Sequence, residues 1–160
     1  MSEKLSLKGT FRNLLNPTIK QTQEVRDLTT GVFSDKDTTA LGTGSLAITV
    51  DGVTSNVSID NTNNTLEGIA AAINEQASGI VSASVINTGS GYKLALTSNE
   101  TGLDNTMDIV VTDTGDGINN DEFGLSRLSY TSGLGGVQML EPQPATDAVF
   151  NFNGVPVTRS

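Results

Sequence analysis

Residues Ser45–Ile59 read SLAITVDGVTSNVSI, and this stretch decides the architecture. Leu46, Ile48 and Val50 alternate with polar neighbours, the period of a half-buried strand. Asp51-Gly52 follows, a two-residue turn in which both positions tolerate positive φ. The return strand carries Val53, Val57 and Ile59. Across such a turn Val50 opposes Val53 and Leu46 opposes Val57, so the apolar sets share one face.

Outward from this hairpin the period changes. After the polar loop at 61–64, Leu66, Ile69, Ala70, Ile73 and Ala77 recur at helical spacing. The pattern predicts an amphipathic helix over 65–77, with Asn64 as cap, Glu67 as its capping-box partner and Ser78-Gly79 as the stop. A helix of that length is marginal alone, so its apolar stripe must pack on the sheet. Alternation then resumes at Val81, Ala83 and Val85, at Tyr92, Leu94 and Leu96, and at Met107, Ile109 and Val111. The reading is β-β-α-β-β with an added strand, roughly over 42–112. Overall we expect an α+β, mainly β fold: antiparallel strands and hairpins with one short amphipathic helix packed on the sheet. The expected core is Leu46, Ile48, Val50, Leu66, Ile69, Ile73, Val81, Val85, Leu94, Leu96 and Ile109.

The flanks are less regular. Residues 1–36 suggest one or two strands of a neighbouring β domain, with a break at Asn16-Pro17. The inserted module is placed at 37–135. Residues 136–160 are expected to hold a linker, Glu141-Pro142-Gln143-Pro144, and a hairpin around Asn153-Gly154 that returns to the neighbouring domain. Gly133 to Gly136 reads as flexible. Because the chain stops within that last hairpin, it is expected to be a fragment of a longer protein.

Composition removes whole classes of chemistry. The 160 residues include no Cys, His or Trp. Disulfide frameworks, zinc fingers, thiol nucleophiles and Ser-His-Asp triads are therefore excluded. Thr, Gly, Ser and Asn number 21, 17, 15 and 14, a mixture suited to turns and solvent-facing strand positions. The net charge is −9, and residues 37–126 carry twelve acids against the single cation Lys93. A phosphate backbone would repel that balance, so no nucleic-acid partner is expected. No apolar run approaches the length of a membrane helix, and the first residues lack a signal-peptide core. No membrane partner is expected.

Candidate sites are few. Asp113, Asp116, Asn119 and Asp121 are oxygen ligands of the type calcium takes, but the frame around Gly117 puts Thr112, Thr114 and Phe123 where ligands should stand. The loop therefore reads as a solvated turn, with no metal and no cofactor. Scattered carboxylates without an aromatic platform make no glycosidase. Gly42 and Gly44 precede a strand instead of opening a helix, so they read as a turn and not a phosphate loop. No catalytic residue is assigned and no enzyme activity is expected. Phe150 and Phe152 share a face of the final strand pair. With Phe123, Leu125 and Leu128 they suit either internal packing or contact with a partner.

Several stretches together carry a family likeness. LGTGSLAITV at 41–50, NNTLEGIAAAIN at 63–74, VSASVIN at 81–87, GYKLALTS at 91–98 and ETGLDN at 100–105 resemble the flagellin hook IN module of bacterial flagellar axial proteins. ATDAVFNFNGVPVTRS at 145–160 resembles the segment that follows this module in filament-cap proteins. The resemblance implies a non-enzymatic, secreted structural protein at the distal tip of the filament. The implied partners are flagellin, other copies of the chain and the hook-associated proteins. It also implies that helical, coiled segments of the parent lie outside this chain. Two alternatives share the resemblance: an exposed adhesin module binding host mucin or glycan, and the equivalent module of a flagellin or of hook-associated protein 1.

Overall fold

The computed structural model describes residues 19–21, 25–102, 106–144, 146–152 and 155–159. Twelve strands and one α-helix are found among them. In chain order these are β1 (Ile19–Gln21), β2 (Val25–Thr29), β3 (Gly44–Val50), β4 (Val53–Ile59), α1 (Leu66–Gln76), β5 (Val81–Asn87), β6 (Tyr92–Thr101) and β7 (Met107–Asp113). A short 3-10 helix (Gly124–Leu128) follows, then β8 (Tyr130–Thr131), β9 (Gly135–Gly136), β10 (Leu140–Gln143), β11 (Ala148–Phe152) and β12 (Val155–Arg159).

The deciding hairpin forms in the register its turn dictates. Asp51 and Gly52 adopt φ of 49° and 73°. Val50 pairs with Val53 and Leu46 with Val57. β3 also pairs along its length with β7, so Leu46 meets Val111, Ile48 meets Ile109 and Val50 meets Met107. The resulting sheet runs β4-β3-β7-β8-β9. Its inner rows are buried, except that Val53, at the turn of an edge strand, is exposed. A second sheet runs β10-β2-β6-β5, with Leu28 opposite Leu96 and Leu96 opposite Ala83. A third, β1-β11-β12, is small.

Both larger sheets and α1 contribute to one hydrophobic cluster. Leu46, Ile48, Val50, Leu66, Ile69, Ile73, Val81, Leu94, Leu96 and Ile109 are buried in it, and Val85 and Tyr92 pack half-buried against it. The helix lies over the two edge strands that flank it in sequence. Asn74 Nδ2 donates to the Ala83 carbonyl and its Oδ1 accepts from the Ala83 N–H, both at 2.8 Å. Gln76 Oε1 accepts from the Ser58 N–H at 3.0 Å. Unpaired edge groups of β5 and β4 are thereby satisfied by side chains of one helix, which blunts both edges against pairing with other chains.

The helix starts one residue later than the spacing suggests. Thr65, not Asn64, is the cap, and its hydroxyl accepts from the Gly68 N–H at 3.2 Å. Glu67 consequently does not close a capping box. Its N–H donates to the Lys36 carbonyl at 2.9 Å and its carboxylate stands 3.4 Å from Lys36 Nζ. Nor does Gly79 cap the other end in a left-handed conformation; Ala77, at φ −127°, ends the helix. Gly68 is needed because a Cβ there would lie 2.6 Å from the Asn63 carbonyl oxygen. Alanine ordinarily stabilises a helix by about 1 kcal/mol over glycine. Here we expect the reverse: Gly68→Ala should lower stability by about 1–2 kcal/mol in urea denaturation, through overpacking against backbone.

Strand pairing exceeds the bounds 37–135 at both ends. β2 comes from the segment 1–36, and β10 contains most of the stretch read as linker. β10 escapes a sequence reading because Pro142 interrupts it, a residue tolerated only where the strand is an edge. Gly133–Gly136 is likewise no slack segment. Leu134 N–H donates to the Thr131 carbonyl at 3.0 Å, and Thr131 pairs with Gly135, making a tight β8–β9 hairpin.

Candidate functional site

Two ends of the five-stranded sheet carry its unusual side chains. At one end, β7 runs out at Asp113, opposite Gly44 at the start of β3. Asp113 is 3% exposed, although its neighbours 114–120 are exposed. Its carboxylate accepts from the N–H groups of Gly115 and Leu125, each at 2.7 Å, and from Ser126 at 3.4 Å. Its own N–H donates to Asn119 Oδ1 at 2.7 Å. Ser126 Oγ donates to the Ile118 carbonyl. Gly124, at φ 57°, leaves room where a Cβ would strike the carboxylate. The loop expected to be a solvated turn is thus folded around one buried anion whose charge is met by backbone donors.

The other acids of this loop serve their own turns. Asp116 Oδ1 accepts from the Ile118 N–H at 2.8 Å and Asp121 Oδ1 from the Phe123 N–H at 3.2 Å. Among the described residues no group of three or more His, Cys, Asp or Glu is gathered to hold a metal ion. The three apolar residues singled out here divide. Leu125 and Leu128 are fully buried, whereas Phe123 is 71% exposed and Ile118 is 50% exposed. Phe150 and Phe152 belong to β11, paired between β1 and β12, and their side chains lie outside the described residues.

At the opposite end of β7, a polar network joins the two large sheets. Arg26 on β2 is 6% exposed and pairs with Glu141 on β10. The second oxygen of Glu141 accepts from the Tyr130 hydroxyl at 2.7 Å. Beside it, Asp108 on β7 accepts from the Ser132 N–H at 2.7 Å. Arg127 packs nearby in sequence but on another contact, 4.0 Å above the Phe33 ring, with Nε donating to Gln138 at 2.7 Å. Composition offers no sign of these pairs, because Arg26 and Glu141 are distant in sequence and nothing local marks either.

Burial, followed by the Glu141 carboxylate, pushes the Tyr130 hydroxyl up to about 12 from its usual 10. A raised pKa means the folded state holds the proton more tightly than the unfolded state. That stabilisation is present below about pH 10 and is lost as pH rises toward 12. We expect urea midpoints to fall across this window, and Tyr130→Phe to abolish that part of the fall.

Above this network lies an open hollow of about 300 Å³. Tyr130 and Met139 are buried beneath it, while Leu134 and Leu140 stand 88% and 61% exposed along its rim. Gly133 and Gly135, both at positive φ, line it with bare backbone. No helix of the described residues is long and apolar enough to cross a membrane.

Among the described residues this geometry gathers no metal-holding cluster, and it presents a loop held by Asp113 at one end of β7 and the β8–β9 hairpin at the other. No family model matches the chain. It is 33% identical over 144 residues to flagellar hook-associated protein 2 of Escherichia coli, in both the O157:H7 and K12 strains. The match takes in 86% of the chain and 29% of each relative. The D2-D3 domains of the Escherichia coli flagellar cap protein FliD superpose with a TM-score of 0.73 at 30% identity, covering 90% of this chain and 72% of that one. The D2-D3 domains of the Serratia marcescens cap protein give 0.74 at 26% identity, over 91% and 79%. The fold is therefore that of the D2-D3 region of flagellar cap proteins. The chain belongs to the flagellar hook-associated protein 2 family, and spans less than a third of the length of the curated relatives it matches.

Proposed function

We propose that this chain is a structural part of a bacterial flagellar filament cap, secreted and held at the distal tip, where its exposed domains help incoming flagellin assemble. The observation that carries this is the agreement of sequence and fold over the same region: 33% identity across 86% of the chain, and a TM-score of 0.73 to cap-protein D2-D3 domains. The work is steric and not chemical. A sandwich closed by α1, with both loop ends fixed by buried polar contacts, keeps its shape while its surface meets and releases other subunits. Other copies of the chain, flagellin and hook-associated proteins are its partners in this reading. The likenesses do not support the adhesin alternative.

Immunogold labelling with antibody against this chain tests the placement. Gold at the free ends of filaments is the expected result. Label spread along the shafts, or confined to the cell body, would contradict it.

A further inference from the structure

Asp-Gly occurs twice in this chain, at Asp51-Gly52 and at Asp116-Gly117, and the fold treats the two pairs in opposite ways. Glycine after aspartate leaves the next backbone nitrogen open to the aspartyl side chain, because no Cβ shields it. At Asp113-Thr114 and Asp121-Glu122 the following residue does carry that shield.

Asp51-Gly52 is the hairpin turn itself. Both residues are held left-handed, at φ 49° and 73°, and Val50 pairs with Val53 just outside them. The Asp51 N–H donates to the Thr106 carbonyl at 3.3 Å. Swinging the Gly52 nitrogen onto the Asp51 carboxyl carbon would require a backbone rotation that breaks the pairing of β3 with β4. Asp116-Gly117 lies outside any strand or helix. Both residues are exposed, and a Cβ on Gly117, at φ 80°, would meet nothing within 4 Å. Among the described residues the Gly117 N–H meets no acceptor. Asp116 Oδ1 accepts from the Ile118 N–H at 2.8 Å, and the ring so closed contains the Gly117 nitrogen. The carboxyl is therefore folded back beside the atom that can attack it, which raises its effective concentration there.

We propose that Asp116 is a site of spontaneous aspartyl isomerisation, and that the reaction loosens the loop organised by Asp113. The Gly117 nitrogen bonds to Cγ of the protonated carboxyl. The carboxyl hydroxyl and the amide proton leave together as water, and a five-membered imide remains. Water then adds to one of the two imide carbonyls. Opening at the side-chain carbonyl restores aspartate. Opening at the backbone carbonyl leaves isoaspartate, whose main chain runs through Cβ and Cγ. The water released is replaced by the water consumed, so no other reactant is needed. The loop has little slack for the added carbon. The Thr114 N–H is tied to the Thr43 carbonyl at 2.8 Å, and the Ile118 carbonyl to Ser126 Oγ. Residues 115–117 bridge these anchors, and Asn119 Oδ1 closes the same arc on the Asp113 N–H at 2.7 Å. A lengthened arc gives up part of this set, and with it the enclosure that keeps Asp113 3% exposed.

The test is ageing of the purified chain in warm neutral buffer, followed by peptide mapping with electron-transfer fragmentation. Isoaspartate formed from aspartate leaves the mass unchanged, which separates it from deamidation of asparagine. In the folded chain, isoaspartate at 116 should exceed that at 51 by roughly tenfold or more, because the hairpin must open locally before it can react. In concentrated urea both pairs are free, and the two positions should react at similar rates. The urea midpoint of the aged parent should fall, while Asp116→Ala aged alongside should keep its own starting value. Isoaspartate at 116 no greater than at 51 in the folded chain, or a ratio that urea leaves unchanged, would overturn the site. Isoaspartate at 116 with no fall in midpoint, or an equal fall in Asp116→Ala, would overturn the loosening.

Discussion

Asp113→Ala should be the most damaging single change at the loop end of the molecule, costing about 3–4 kcal/mol. The carboxylate is 3% exposed and accepts from three backbone N–H groups, two of them at 2.7 Å. Removing it leaves those donors without their acceptor, each at a cost of about 1–3 kcal/mol where water cannot replace it. Gly115 is near the surface and can recover a water, so the sum is less than three full penalties. For a domain of this size the melting temperature should fall by about 10 °C. The comparison that isolates the cause is Asp116→Ala, whose carboxylate holds one exposed turn and should cost well under about 1 kcal/mol. Equal effects from the two substitutions would show that the buried anion does not organise the loop.

The second large effect is expected at the other end. Arg26→Met removes the cation from a pair whose side chains are 7% and 21% exposed. Among the described residues, the Glu141 carboxylate then retains the Tyr130 hydroxyl as its hydrogen-bond donor. Breaking one side of a buried pair costs about 3–5 kcal/mol, and the partial exposure of Glu141 places this case near 3. The double variant Arg26→Met, Glu141→Leu leaves no stranded charge and should recover most of the loss. Urea midpoints of the parent, the single variant and the double variant give the answer directly. A double variant no better than the single would mean that Arg26 acts through its stem packing and not through its charge.

The two ends also show what a sequence can reveal about such a fold. The Asp51-Gly52 hairpin, its register and the helix were legible because each is written in local period and turn chemistry. The helix cap was misplaced by one residue because Asn64 and Thr65 are both good caps, and local composition does not choose between them. Asp113 was unreadable for a different reason. It stands where a strand runs into a solvated acidic loop, and its burial depends on a glycine and a 3-10 helix eleven or more residues later. Arg26 and Glu141 meet because β2 and β10 pair as neighbours, and Tyr130 reaches them from the other sheet, an arrangement no short window contains. Phe123, Leu125 and Leu128 look alike in sequence, and only the packing of the 3-10 helix under β7 separates the exposed one from the buried two.

Filament growth on a chimera is the most direct measurement of the central claim. The matching region of the Escherichia coli hook-associated protein 2 would be replaced by this chain, in a strain lacking its own copy. If the chain is cap scaffold, electron microscopy should show filaments, with little monomeric flagellin in the medium. A stable, exported chimera that leaves cells bald, with flagellin lost to the medium, would contradict the account.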